Sequence, residues 1–174
     1  MPPHWTPGTV TSVSPSQVLL FGSNASGFHG AGSAGFAMRG DTRNTWRDDP
    51  AFRRAMHAPP GHPDRTGLYA VYGVARGHQT GTRGMSYAIQ TIERPGARRS
   101  TSRREIYAQL TAFAAFSLAH PHWEMLVTPI GEGYSGWTRE EMHEVWCWLE
   151  RQKGFPPNWT FLRPPNARDI AAST

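Results

Sequence analysis

Residues 17–38 read QVLLFGSNASGFHGAGSAGFAM, and the fold turns on how that stretch is taken. Val18, Leu19, Leu20 and Phe21 are too few for a helix and partly β-branched, which predicts a buried strand. Gly22, Gly27, Gly30 and Gly32 then punctuate a loop, and the small residues from Ala31 to Met38 predict a helix. A strand that stops in a glycine-rich loop and restarts as a helix turns unpaired backbone N–H groups and the positive end of the helix dipole into that loop. Such a place suits an anion of phosphate size.

The flanking sequence repeats the pattern. Residues 40–66 are polar; Asp48, Asp49 and Pro50 predict the start of a short helix reaching about Ala58, before the breaker run Pro59-Pro60-Gly61-His62-Pro63. Residues 68–74 (LYAVYGV) and 85–91 (MSYAIQT) predict two strands joined by a turn containing Gly77, Gly81 and Gly84. Ser102 with Glu105 forms a capping box for a helix that carries Ile106, Leu110, Phe113, Ala114 and Ser117 on one face and ends near His120-Pro121. Residues 123–130 (WEMLVTPI) predict a buried strand that also runs into glycines, Gly131-Glu132-Gly133-Tyr134-Ser135-Gly136. Thr138 and Glu141 cap the helix that follows, with Met142, Val145, Trp146 and Leu149 on one stripe, and residues 159–162 predict a last short strand. Strands alternating with helices predict an α/β sheet with helices on its faces, with ligands beyond the carboxyl ends of the strands. The expected organisation is a disordered N-terminal tail over 1–16, which holds four prolines, one domain over 17–163, and a C-terminal tail over 164–174.

Composition narrows the function classes. At 174 residues, 38% hydrophobic and 11% aromatic, the chain can build a real core. It has neither a membrane-length apolar run nor a basic start followed by a hydrophobic segment, so a soluble, cytoplasmic protein is expected. The single cysteine, Cys147, excludes an internal disulfide and a cysteine-based zinc site; on the apolar face of a predicted helix, it reads as a small core residue. His57, His62, His120 and His122 have no metal-binding spacing, so no metal and no cofactor is expected. The net charge of +5 is almost entirely arginine, because Lys153 is the only lysine. One cluster is Arg39, Arg43, Arg47, Arg53 and Arg54, and another is Arg94, Arg98, Arg99, Arg103 and Arg104. These read either as patches that attract nucleotides or nucleic acid, or as solvated arginines in exposed loops; no zinc-finger or RNP-type signature accompanies them.

Two common explanations of the first loop fail. A P-loop requires a Lys-Ser/Thr pair at the end of the glycine run, and alanine, glycine and phenylalanine stand there instead. Gly30-Ala31-Gly32-Ser33-Ala34-Gly35 satisfies G-x-G-x-x-G, but it begins well beyond the strand. No second strand ends in an acidic residue at the distance a Rossmann fold requires, since Asp48 and Asp49 lie in a polar, proline-interrupted stretch.

Taken together, Phe21-Gly22-Ser23-Asn24, His29-Gly30-Ala31-Gly32-Ser33-Ala34-Gly35-Phe36-Ala37 and Val127-Thr128-Pro129-Ile130-Gly131-Glu132-Gly133-Tyr134-Ser135-Gly136-Trp137 resemble the two ligand loops of macrodomains, ADP-ribose-binding α/β/α modules. The likeness is strongest to short, uncharacterised macrodomain-like proteins of phages and bacteria and covers about residues 17–150. It implies a three-layer α/β/α sandwich with a mixed central sheet. It further implies that the chain binds ADP-ribose or a related NAD-derived nucleotide, with hydrolysis of an ADP-ribosyl bond as an added expectation. Sequestration of a nucleotide signal without turnover, or a basic nucleic-acid-binding protein, are the alternatives. On this resemblance Gly22, Ser23, Asn24, Gly27, His29, Gly30, Ala31 and Gly32 form one side of the site, and Thr128, Ile130, Gly131, Gly133, Tyr134, Ser135 and Gly136 the other. Backbone amides of Gly30, Ala31 and Gly32 would meet one phosphate and those of the second loop the other.

Asn24 would bind the distal ribose, or else cap its own turn. His29 would bind phosphate or act as acid or base, or else have no task in the loop. Tyr134 would stack on a ring or pack at the rim, and Glu132, the one carboxylate in either loop, is the candidate general base. Ordinary macrodomains recognise adenine with an aspartate after an early strand. The stretch before Gly22 offers none, which leaves open another nucleotide or a cyclic derivative.

Overall fold

The computed structural model describes residues 3–164. They form an α/β fold with a six-stranded sheet and four helices. The strands are β1 (Thr6–Pro7), β2 (Gln17–Asn24), β3 (Gly77–Thr80), β4 (Met85–Ile92), β5 (Glu124–Val127) and β6 (Trp159–Arg163). The helices are α1 (Gly32–Arg39), α2 (Pro50–His57), α3 (Arg103–Ala119) and α4 (Arg139–Lys153). The sheet order is β1-β6-β5-β2-β4-β3, parallel throughout except where β3 runs against β4, so the sheet is mixed as expected.

The central strand explains the layering. Because successive side chains alternate, Val18 and Leu20 of β2 enter a core under α3 and α4, while Leu19 and Phe21 enter a second core under α1 and α2. A strand buried on both faces must be continuously apolar, as residues 18–21 (VLLF) are. On the first face both expected capping boxes are formed, Ser102 with Glu105 and Thr138 with Glu141, and the expected face residues of α3 and α4 are buried. On the second face Asp49 caps α2 by accepting from the Ala51 N–H, with Pro50 in the first helical turn.

Three expectations differ from the structure. Residues 3–16 are not a loose tail: β1 pairs with β6, Trp5 meets Trp146 and Phe161 edge-on at 5.8 and 5.2 Å, and Val13 is buried. The segment 68–74 buries Tyr69, Ala70 and Tyr72 but is no strand. Its Leu68 and Tyr69 amides donate to the Met38 and Ala37 carbonyls at the end of α1, so aromatic content there reports burial and not sheet pairing. The strand lies instead at Gly77–Thr80, within the stretch read as a turn. Cys147 is only half-buried, with its Sγ 3.4 Å from His143 Nε2, and is not a core residue. Of the expected C-terminal tail, only Pro164 falls among the described residues. No helix among the described residues is long and apolar enough to cross a membrane.

Candidate functional site

The two glycine-rich loops leave the carboxyl ends of β2 and β5, neighbours in the sheet, and flank one cleft of about 940 Å³. Its floor comes from the ends of β2 and β4, namely Gly22, Ser23, Asn24, Thr91 and Ile92. Gly30, Ala31 and Gly32 with Ser33 and Ala34 of α1 form one wall; Thr128, Ile130, Gly131, Glu132, Gly133, Tyr134 and Ser135 form the opposite one. Helix α1 has no side-chain N-cap, and its Gly32 amide is taken by the Thr42 carbonyl. The amides of Ser33 and Ala34 find no acceptor among the described residues, and across the cleft neither does that of Tyr134, whereas Gly133 and Ser135 bond within their own loop.

The first loop is closed on itself. Asn24 Nδ2 donates to the Phe28 carbonyl at 2.8 Å, and its Oδ1 accepts from Ser26 Oγ at 2.6 Å and from the Phe28 amide at 3.1 Å. Asn24 therefore caps its own turn while lining the cleft floor. Gly27 does not line the cleft; it packs against the backbone of Gly73 and Val74. Nor does His29, which is fully buried, edge-on to Phe21 at 5.0 Å and stacked on Tyr72 at 5.8 Å. Its Nε2 lies 3.2 Å from the Val71 carbonyl and must be the protonated nitrogen, because a carbonyl only accepts. Nδ1 then remains without a partner. Burial holds the imidazole pKa down to about 4, against the opposing Val71 bond and with Arg39 adding to the effect. Arg39, read from sequence as part of a basic patch, grips the loop from behind through the His29 and Gly30 carbonyls at 3.0 and 2.8 Å.

The second loop is held by side chains from elsewhere. Thr128 Oγ1 donates to the Leu20 carbonyl at 2.7 Å. Ser135 Oγ donates to Thr91 Oγ1 at 2.7 Å, and Thr91 donates in turn to the Ser23 carbonyl, which joins the two loops beneath the cleft. Glu132 makes a two-pronged ion pair with Arg163 at 2.7 and 3.0 Å, and Arg163 lies over the Trp5 ring at 4.6 Å. Arg99 donates its amide to the Ser135 carbonyl and its Nε to the Gly136 carbonyl, pairs with Glu141, and lies over the Trp137 ring at 4.8 Å. Arg103 pairs with Glu144. Part of the second arginine cluster is therefore scaffolding. Gly136 packs against Arg98 outside the cleft, while Tyr134 stands 69% exposed at the rim.

Of the three candidate catalytic residues, Asn24 and Glu132 face the cleft and His29 does not. Both Glu132 oxygens are engaged by Arg163, an arrangement that fixes a loop and does not free a base. Sequence reasoning missed Thr91 and Ile92 at the end of β4 and Pro95 and Gly96 after it, which the rule placing ligands at strand carboxyl ends could have found, since β4 itself was expected. It also missed Asn44, Trp46 and Arg139, for which no local signal exists, and had Arg47 only as a member of the first arginine cluster. Among the described residues no three His, Cys, Asp or Glu side chains group as a metal site.

Fold and site together define a three-layer α/β protein with a cleft of small-molecule size at the carboxyl ends of its parallel strands. No protein-family model matches the sequence, and none of the curated proteins matches it significantly.

Proposed function

We propose that the chain binds ADP-ribose or a related phosphorylated nucleotide in the cleft between its two glycine-rich loops, as the loops' resemblance to those of macrodomains implies. The observation that carries this reading is the convergence of unpaired amides. Ser33 and Ala34, at the start of α1, face Tyr134 across one cleft, and free N–H donors on both walls suit a diphosphate. The volume of about 940 Å³ leaves room for sugar and base. Binding without turnover is the favoured form, because His29 is buried and neutral and Glu132 is ion-paired. Isothermal titration with ADP-ribose, NAD and mononucleotides should give saturable heat with at least one of them; no heat with any overturns the proposal. Incubation with ADP-ribosylated protein should release no ADP-ribose, and measurable release would restore the hydrolytic form.

A further inference from the structure

Each lip of the cleft is lined by one aromatic ring, half-buried on one side and exposed on the other, and by one arginine. On the α1 side these are Trp46 and Arg47, whose guanidinium lies 5.2 Å from the Trp46 ring centre. On the other side they are Tyr134, 69% exposed, and Arg139. Neither Arg47 nor Arg139 has a carboxylate within ion-pair distance among the described residues, unlike Arg39, Arg99, Arg103 and Arg163, which the fold consumes. Arg94 and Arg98, exposed and likewise without an ion pair, flank Pro95 and Gly96 at the mouth. Trp46 is held edge-on by Phe28 at 5.0 Å and tilted against Phe52, so its orientation is set before any ligand arrives.

A diphosphate between the loops accounts for the amides but not for this outer ring of charge and π-surface. Single-stranded nucleic acid does account for it, since successive phosphates need cations along a groove and unstacked bases need aromatic faces. A duplex, with its bases stacked inward, could not use the rings. We infer that the cleft takes the terminal nucleotide of a single-stranded nucleic acid, with the adjoining nucleotides lying across Trp46–Arg47 and Tyr134–Arg139. The inference rests on the cleft's being a site for a phosphorylated nucleotide and adds that the nucleotide is carried on a strand.

The test is fluorescence anisotropy of the full chain with a labelled DNA strand of about 12 nucleotides, phosphorylated at either end or unphosphorylated, between about 50 and 200 mM salt. The same strand as a duplex, and titration with ADP-ribose, run in parallel. End-phosphorylated single strands should bind best, duplex worst, and ADP-ribose should compete. Replacing Arg47 and Arg139 together by alanine should weaken binding about tenfold and flatten the salt slope by about 1.4. Replacing Trp46 and Tyr134 by alanine should weaken it at least about fivefold. Arg151→Ala, on the last turn of α4 and outside the cleft, should change nothing. Circular dichroism of each variant checks that the fold is kept. Strand binding that ignores the lip variants, responds equally to Arg151→Ala, favours duplex or resists ADP-ribose overturns the inference. If ADP-ribose binds and no strand does, only this inference falls; if no strand binds and ADP-ribose, NAD and mononucleotides all give no heat, the nucleotide reading falls with it.

Discussion

The first glycine loop uses its polar groups on itself and on the core behind it, with Asn24 capping its own turn, His29 enclosed between Phe21 and Tyr72, Arg39 holding the His29 and Gly30 carbonyls, and Gly27 pressed on the backbone at residue 73. The second, by contrast, leaves Tyr134 exposed and has Gly133 in open space, and it keeps its shape through Thr91, Arg99 and Arg163, which belong to other elements. One wall of the cleft is thus part of the core and the other is braced from outside. A cleft built this way can keep a fixed wall for one end of a ligand while the opposite wall adjusts at small cost.

The contrast breaks most visibly at Gly27. Its φ of +63° lies in the left-handed region, and an added Cβ would sit 2.5 Å from the Gly73 carbonyl carbon and the Val74 nitrogen, which are backbone and cannot rotate away. Left-handed strain and overpacking together should lower the stability of Gly27→Ala by about 4 kcal/mol, read as the denaturation midpoint with unchanged slope. A loss near that of an exposed glycine would mean that the first loop is not core.

His29 gives the next effect. Its pKa is 6.5 in the ordinary case and about 4 in the fold, so the native state binds fewer protons between those values. The stability is fully present above pH 6.5 and falls as pH drops toward 4, by about 3 kcal/mol in all. His78, also lowered, mainly by burial, acts in the same direction and remains in a His29→Gln variant as its background. Glu105, Glu124 and Glu141 are lowered by hydrogen bonds, so their contributions are lost only below about 4.5. Urea denaturation at pH 7 and 5 should therefore show a steeper loss in the wild type than in His29→Gln. Equal slopes would place His29 in solvent.

How much of this could be read beforehand depended on whether the signal was local. The capping boxes Ser102–Glu105 and Thr138–Glu141 and the apolar run of β2 are short-range patterns, and all three are where they were expected. Strand β1 was invisible because two residues carry no periodicity; Trp5 fixes it through rings of Trp146 and Phe161 far along the chain. Residues 68–74 looked like a strand because Leu68, Tyr69, Val71 and Tyr72 favour pleated surfaces. Such residues also suit any buried segment, and here the backbone bonds go to the end of α1. In the site the same division holds. The loops were legible from their glycines, whereas the direction of His29 and the partner of Glu132 depend on Val71, Tyr72 and Arg163, which no spacing rule connects to them.

On the second loop, Glu132→Gln tests bracing against chemistry. Arg163 would lose a charged partner while keeping one amide oxygen, and the pair is partly hydrated, so a loss of about 1–2 kcal/mol is expected. ADP-ribose affinity should fall alongside, as the loop loosens. Should ADP-ribosyl hydrolysis be measurable in the wild type, a drop of about a hundredfold or more in Glu132→Gln would instead assign the residue a general-base role.

Gly133→Ala is the mildest and most informative change. Its φ of +76° resembles that of Gly27, yet no heavy atom lies within 4 Å of the added methyl, so only the backbone preference is lost. About 1 kcal/mol is expected in urea denaturation, roughly a quarter of the Gly27→Ala effect. Because the methyl is added to open space on a residue that lines the cleft, beside the free Tyr134 amide, ligand affinity should change out of proportion to stability, whereas at Gly27 any loss of binding should follow unfolding. Equal costs at the two glycines would mean that the second wall is packed as tightly as the first, and the division between a fixed and an adjustable wall would then be wrong.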